Sequence, residues 1–577
     1  MRTFRGMFCA LSVMAGLAQA EFTDVTRSAG VHYLQWNANS QSEVQRMTGG
    51  AAAGDVDGDG FPDLFVTRFD GPDILFKNDG QGGFTDVSRT AGFRMTLPSN
   101  GVAMGDIDND GDRDIYLTSV GDYQHYLFIN DGTGKFREQG RDRGAAIRTS
   151  DLHRGMSAAW GDYDRDGYLD LHVTEWGNTK YLPPTLWSHS RLLRNQGAEN
   201  PGHFEDQTVA ADVVLDNYVG FTVKDAIEGL WTFTSTFADF DRDGHADLAV
   251  VGDFETSRLY WNNGDGTFLL APNQYSDAPS GIGTDENGMG SAIGDFNNDG
   301  WLDWFVTSIY DADNPCVSQR CNWKASGNRL YLNNGDRTFT DVTDLAGVRD
   351  GGWGWGTTFF DYDNDGDQDL VMTNGMVTPS VQSLEFTDDA MRLWRNEGNG
   401  SFTEVAALEG LTDTSSGKGI LTFDYDVDGD LDLFVVNNGG APKLYRNDSD
   451  NGNAFLQLEL VGTKSNRDGV GAFVTLMADA DAMPQTRYLT GGGTNFLSQS
   501  DSLLHFGLGD RDQPVHQLIV DWPSGVQQVF DDVAINSRLR AIEPVPEPHA
   551  VTLLVVGGMI LIHTRKQRAT SLRGNSC

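Results

Sequence analysis

One acidic pattern, D-x-[DN]-x-D-G-x-x-D, occurs seven times in this 577-residue chain. Its oxygen-bearing side chains are Asp55, Asp57, Asp59 and Asp63 in the first copy, Asp106, Asp108, Asp110 and Asp114 in the second, and Asp162, Asp164, Asp166 and Asp170 in the third. The fourth has Asp239, Asp241, Asp243 and Asp247, and the fifth has Asp295, Asn297, Asp299 and Asp303. The sixth has Asp361, Asp363, Asp365 and Asp369, and the seventh has Asp424, Asp426, Asp428 and Asp432. Oxygens at positions 1, 3 and 5, a backbone carbonyl at 7 and a carboxylate at 9 can wrap a hard cation that takes six to eight oxygen ligands, and Ca²⁺ fits best. Without a cation, four carboxylates so close together would repel. One Ca²⁺ per loop is therefore expected as a structural staple, with direct bridging to a ligand as the alternative role. Asn297 replaces a charged ligand, so the fifth loop is expected to bind most weakly. An EF-hand is excluded, because position 12 is Val66, Leu117, Val173, Val250, Val306, Met372 or Val435 rather than Glu.

The surroundings of the loops repeat too. A branched apolar run follows the motif, as in Asp63–Thr67, Asp303–Thr307 and Asp432–Val436, and reads as a buried strand. A second strand then runs into an Asn/Asp/Gly turn at Ile74–Gly80, Arg258–Gly264 and Arg329–Gly335, where Asn and Gly are expected to supply the positive φ of a tight hairpin. A Phe-led strand comes next, as in Phe84–Val87 or Phe339–Val342, and a fourth, such as Gly356–Phe360, ends before the next motif. Start-to-start spacings run from 51 to 77 residues. Seven four-stranded units predict an all-β, seven-bladed β-propeller over residues 21–447, since ring closure protects the sheet edges; an open solenoid is the alternative. The phrase Phe22–Gly30 precedes the first motif, whereas Lys443–Asn447 after the last motif lacks such a phrase, so the N-terminal strand is expected to complete the seventh blade. From Glu21 to Asn447 the chain resembles the FG-GAP/VCBS repeats of integrin α-type propellers, which implies calcium loops on one propeller face.

Composition narrows the partners. With 42 Lys plus Arg against 83 Asp plus Glu, the formal charge of -41 argues against binding to nucleic acid or an anionic bilayer. The 39% of hydrophobic residues supplies a core. Residues 1–20 read as an export signal: Arg2, Arg5, an apolar run from Met7 to Ala18, and Ala18-Gln19-Ala20. Residues 544–577 contain Pro546-Glu547-Pro548, an apolar stretch from Ala550 to Ile562 expected as a short transmembrane helix, and Arg565, Lys566 and Arg568. This tail resembles a PEP-CTERM sorting tail, although it continues nine residues past the basic cluster. The resemblance implies exosortase processing and export to the outer surface, envelope or extracellular matrix of a Gram-negative-type bacterium. In that compartment Cys316 and Cys321 are expected to form a disulfide.

Residues 448–543 form a different module. Phe455–Leu460 alternates as a half-buried strand, and Asn466–Ala472, Gly491–Ser500, His505–Gly509 and Asp521–Gly525 follow. The module resembles an ASPIC/UnbV domain, which implies relation to the cartilage acidic protein family of secreted repeat proteins. Asn495-Phe496 stands where that family's Gly-Tyr is expected. His505 and Trp522 are expected in the core. Trp176, Tyr181, Trp187, Tyr218 and Trp231, in the aromatic-rich insertion, are expected to pack rather than stack on sugars. No G-x-S-x-G, H-E-x-x-H or Walker A pattern occurs, and no catalytic residue is assigned. The expectation is an exported, monomeric, calcium-binding surface or matrix adhesion module that touches the membrane only through its tail. Its partner would be an extracellular protein or glycan held at the concave propeller axis, and a polysaccharide-active enzyme is the alternative.

Overall fold

The structure, a computed structural model, describes residues 21–35, 44–150, 152–177, 190–214, 231–253, 256–272, 282, 287–311, 325–376, 386–449, 451–545, 553–556 and 559–562. The export signal, Cys316, Cys321, Tyr181, Trp187, Tyr218 and Pro546–Pro548 lie outside these residues.

Each acidic motif connects two antiparallel strands. In the first repeat Ala51–Gly54 leads into the loop and Asp63–Val66 leaves it, followed by Ile74–Asn78 and Phe84–Asp86. The same order builds the sheets that start at Ser99–Gly105, Gly155–Gly161, Thr232–Ala238, Ser291–Gly294 and Gly354–Phe360. The seventh sheet takes Gly417–Phe423, Asp432–Asn437 and Lys443–Asn447 from the end of the repeats and Phe22–Asp24 from the start of the chain. Phe22 pairs with Asn447 and Asp24 with Tyr445, as the early phrase implied. First strands of successive sheets touch one another in order, and the first strand of the seventh touches that of the first. The fold is a β-propeller.

The sequence physics of one sheet interface explains its neighbours. The Phe that opens each outer strand packs on the residue at loop position 2 of the preceding sheet: Phe84 lies 5.7 Å from Tyr425, Phe268 5.6 Å from Tyr163, and Phe339 5.8 Å from Phe240. Burying one such aromatic contributes about 1.5–3 kcal/mol, and offset or edge packing adds about 0.5–1.5 kcal/mol. Between the sheets lie large buried side chains such as Trp160, Trp304 and Tyr331.

Residues 455–542 fold into two further sheets. One sets Phe455–Val461 between antiparallel Leu504–Gly507 and parallel Ser537–Ile542. The other orders Gln485–Tyr488, Phe473–Met477, Val515–Asp521 and Gln527–Val533. Leu456, Leu458 and Leu460 face a core containing Val474, Leu518 and Trp522. The opposite face of the first strand is not solvated, as simple alternation would imply: Gln457 is buried against the propeller.

Pro544–Cys577 forms a separate compact unit. Here the expected transmembrane helix is corrected, since Leu553–Val556 and Met559–Ile562 are paired antiparallel strands. Val555, Val556, Ile560 and Ile562 are β-branched and favour extended backbone, with Gly557-Gly558 between the two strands. No described helix is long and apolar enough to cross a membrane.

Candidate functional site

The seven acidic loops share one backbone. Position 4 is left-handed in every copy, with φ from 57° at Arg242 and Asn364 to 74° at Gly58. Position 6, always Gly, is left-handed again, with φ from 88° at Gly167 to 105° at Gly429, a region where a side chain would be strained. This double reversal turns backbone N–H groups inward. The position-6 amide donates to the position-1 carboxylate in all seven loops, from 2.7 Å at Gly111–Asp106 to 3.1 Å at Gly429–Asp424. The position-7 amide donates to the position-5 carboxylate, for example Phe61 to Asp59 at 3.1 Å and Trp301 to Asp299 at 2.9 Å.

Position 9 works as a cross-strand staple. Oδ1 of Asp63, Asp114, Asp170, Asp247, Asp303, Asp369 and Asp432 each accepts a 2.8 Å bond from the amide of Asn78, Asn130, Asn195, Asn262, Asn333, Asn396 and Asn447. These asparagines correct the sequence reading. They do not adopt positive φ in the turn, which falls instead on glycines such as Gly80, Gly264 and Gly335. Their side chains latch neighbouring sheets. Nδ2 of Asn130 donates to the carbonyl of Val56, Nδ2 of Asn333 to Phe240, and Nδ2 of Asn78 to Tyr425, which closes the cycle between the first and seventh sheets. The only sequence signal for this role was the Asn that recurs in all seven repeats, two residues before Gly in six of them and before Ser449 in the seventh.

Ligand atoms from three carboxylates lie within 4.8 Å of one another in several loops, including Asp55/Asp57/Asp63, Asp106/Asp108/Asp110 and Asp239/Asp241/Asp247. Burial pushes Asp63 up to about 7 and both Asp106 and Asp361 up to about 8, while Asp114, Asp170, Asp247, Asp303, Asp369 and Asp432 lie well above the usual carboxylate range for the same reason. Several buried oxygens have no hydrogen-bond partner: Oδ1 of Asp57, Asp108 and Asp426 at position 3, Oδ1 of Asp162 at position 1 and Oδ2 of Asp114 at position 9. Oriented carboxylates with orphaned, mutually close oxygens fit a hard cation. In the fifth loop, Asn297 Nδ2 instead donates to Asp299 Oδ2 at 2.9 Å.

Basic side chains, which the motif search did not reveal, lean on some loops from outside. Lys77 Nζ meets Asp57 and lies 3.0 Å from Asp59; Arg194 meets Asp164 and lies 3.2 Å from Asp166; Arg337 meets Asp241 and lies 3.3 Å from Asp243. These long side chains are partly exposed and can move aside.

The C-terminal domain bonds to the acidic face, although the position-5 carboxylates Asp59, Asp110, Asp166, Asp243, Asp299, Asp365 and Asp428 stay exposed. Gln457 Nε2 donates to Asp424 Oδ2 at 2.7 Å, the Gly507 amide to Asp361 Oδ2 at 3.0 Å, and the Asp106 amide to Asp468 Oδ2 at 2.7 Å. His505 is buried and its Nε2 lies 2.6 Å from Asn364 Oδ1, while Trp522 is buried with Nε1 donating to Gln528 Oε1 at 3.1 Å. Both are packing residues, as expected. Trp176 is buried and meets Trp231 edge-on at 4.5 Å. The axial concavity expected as a ligand surface is corrected: residues 491–501 fill it, with Phe496 fully buried between Phe233 and Trp355.

A second titratable group was not anticipated. His125 Nε2 lies 3.0 Å and His153 Nδ1 2.5 Å from Glu175 Oε1, all three residues buried. Their spacing would suit a metal, but the Ser119 amide donates to His125 Nδ1 at 3.0 Å and so places that ring's proton on Nε2, toward Glu175. Burial opposes charge on His153, yet the Glu175 carboxylate outweighs it and raises the imidazole above its ordinary value. The group is a buried hydrogen-bonded ion pair.

Comparison with known proteins accords with this architecture. The FG-GAP-like repeat model matches residues 55–117, 106–173, 239–306, 318–372 and 381–435, and the ASPIC and UnbV model matches 462–548. Cartilage acidic protein 1 of Homo sapiens is 24% identical over 560 residues, covering 92% of this chain and 77% of that protein; the Mus musculus protein is 24% identical over 565 residues, covering 93% and 79%. Among solved structures, an Agrocybe aegerita lectin described as recognising non-reducing terminal N-acetylglucosamine aligns at a TM-score of 0.39 and 17% identity, over 69% of this chain and 94% of that one. With its repeats matched over half its length and an ASPIC and UnbV domain after them, the chain belongs to the FG-GAP-like repeat family and is homologous to cartilage acidic protein 1.

Proposed function

We propose that this chain is an exported, calcium-loaded binding module of the cell surface or surrounding matrix, and that its ligand, an extracellular protein or glycan, leaves unchanged. The observation that carries the calcium reading is the set of orphaned, buried carboxylate oxygens converging in loops of one repeated geometry. Asp55, Asp106, Asp162, Asp239, Asp295, Asp361 and Asp424 would hold the ion at position 1, with positions 3, 5 and 9 completing each set. The cation would neutralise acids that burial otherwise forces toward protonation. Its role is structural, because the position-9 carboxylates tie strand to strand and the position-1 residues Asp106, Asp361 and Asp424 bond to the C-terminal domain.

A negative surface favours neutral or basic partners, or acidic glycans bridged by calcium. With the axis filled, the partner would bind elsewhere on the exposed surface of the propeller. The test is to incubate the mature protein with envelope polysaccharides and surface proteins, in calcium and in EGTA, and to measure retention and product release. Calcium-dependent retention without product is the expected result. Turnover abolished by one substitution outside the acidic loops would replace this reading with an enzyme.

A further inference from the structure

Residues Gly491 to Asp501 leave the C-terminal domain and enter the middle of the propeller, where they contact the first strand of every sheet. In the first sheet, the Gln499 amide donates to the Ala51 carbonyl at 2.9 Å and the Ala53 amide to the Gln499 carbonyl at 3.1 Å. In the second, the Gln499 side chain bonds both ways with the backbone of Met104, at 2.7 and 3.0 Å, and the Val102 amide donates to the Leu497 carbonyl at 3.1 Å. Gly491 and Gly492 pair with Trp160 and Ala159 of the third sheet as an added strand, and the Leu497 amide donates to Ser157 Oγ. Phe496 packs on Phe233 of the fourth sheet and Trp355 of the sixth. The Asn495 amide donates to the Ser291 carbonyl of the fifth at 3.1 Å, and the Asp501 amide to the Thr422 carbonyl of the seventh at 3.2 Å.

Both sides are shaped for this fit. A Cβ on Gly50 would lie 2.3 Å from the Leu497 carbonyl oxygen, and one on Gly493 would lie 1.8 Å from that of Ser235. In the segment, Asn495, Phe496 and Leu497 are three consecutive left-handed residues, with φ of 67°, 47° and 60°. That backbone is costly for Phe and Leu and persists only where surrounding contacts impose it. Those contacts come from all seven sheets at once, which no single interface between neighbouring sheets can do.

We propose that this segment is the keystone of the ring, and that the C-terminal domain functions to seat it: the domain serves the propeller as a built-in axial ligand that locks all seven sheets and closes the channel to other ligands. The proposal does not depend on calcium. Removing the keystone side chain should therefore loosen sheets beyond the two whose aromatic rings it packs on.

Two full-chain variants test this. In Phe496→Ala, amide exchange should rise at least tenfold in the first strands of all seven sheets, including the first, second and seventh, beyond the Phe233 and Trp355 rings that Phe496 packs on. A rise confined to the fourth and sixth sheets would overturn the proposal. The second variant, Gly419→Cys with Ser498→Cys, stands even if the first fails to fold. A Cβ on Gly419 would lie 3.3 Å from Ser498 Cβ, close to the spacing of a disulfide, and 2.8 Å from the Gly49 carbonyl oxygen, so the backbone there must give way slightly to admit it. The bond should form in the folded protein, and the oxidised form should melt above its reduced form by more than the parent does under the same redox change. A cross-linked form that melts no higher than its reduced form would contradict the keystone role.

Discussion

An asparagine that looked like turn chemistry proves to be the joint between sheets, and its replacement gives a sharp prediction. Asn333 donates its amide to Asp303, its Nδ2 to the carbonyls of Phe240 and Leu302, and accepts the Gly335 amide on Oδ1. Asn333→Ala keeps the backbone bond to Asp303 but strands the carbonyls of Phe240 and Leu302 and the Gly335 amide, and should cost about 2–3 kcal/mol in denaturant melts. The acidic loops were legible in the sequence because every ligand position is local and in register. The latch was not, because its acceptors lie in another repeat; Phe240 precedes Asn333 by 93 residues. The His153–Glu175 pair was hidden for the same reason. Its pH dependence follows from two opposite shifts. Glu175 is held below its ordinary 4.5 by the histidines despite burial, so its contribution is present above about 4.5 and lost as pH falls. His153 is raised above 6.5, so its contribution is complete below that value and lost as pH rises through the raised one. The stability difference between parent and His153→Gln should therefore be largest between roughly pH 5 and 6.5 and shrink as pH rises above the raised His153 value, by urea melts at each pH. A difference that grows toward pH 8 would contradict the ion pair.

Strand order was readable from the repeat because apolar runs, Asx-Gly turns and Phe-led strands recur with the motif. Even ring closure was foreshadowed by Phe22–Gly30, which in the structure supplies the outer strand of the seventh sheet. Deleting residues 21–29 removes that strand and exposes the edge Lys443–Asn447. Aggregation or loss of a single cooperative transition is expected by light scattering and calorimetry, and parental melting would show that the closing strand is dispensable. The tail is where local reasoning failed. A thirteen-residue apolar run is ambiguous between helix and strand, and its β-branched residues and central Gly-Gly favour the hairpin.

At the scale of the molecule, no periodicity in the sequence disclosed that Gly491–Ser500 belongs inside the propeller. Its glycines resembled an ordinary loop, and its complement is scattered over small residues from tens to hundreds of positions away, such as Gly419, Gly356 and Ala51. The central claim is that the seven loops hold Ca²⁺ and that the ions staple the fold. Each loop whose dissociation constant lies tenfold below ambient calcium contributes about 1.4 kcal/mol by mass action, so seven should dominate stability. The most direct measurement is the melting temperature of the mature full-length protein in calcium and in excess EGTA. The account predicts a fall of more than about 10 °C on chelation, restored by added calcium; an unchanged melting temperature would contradict it.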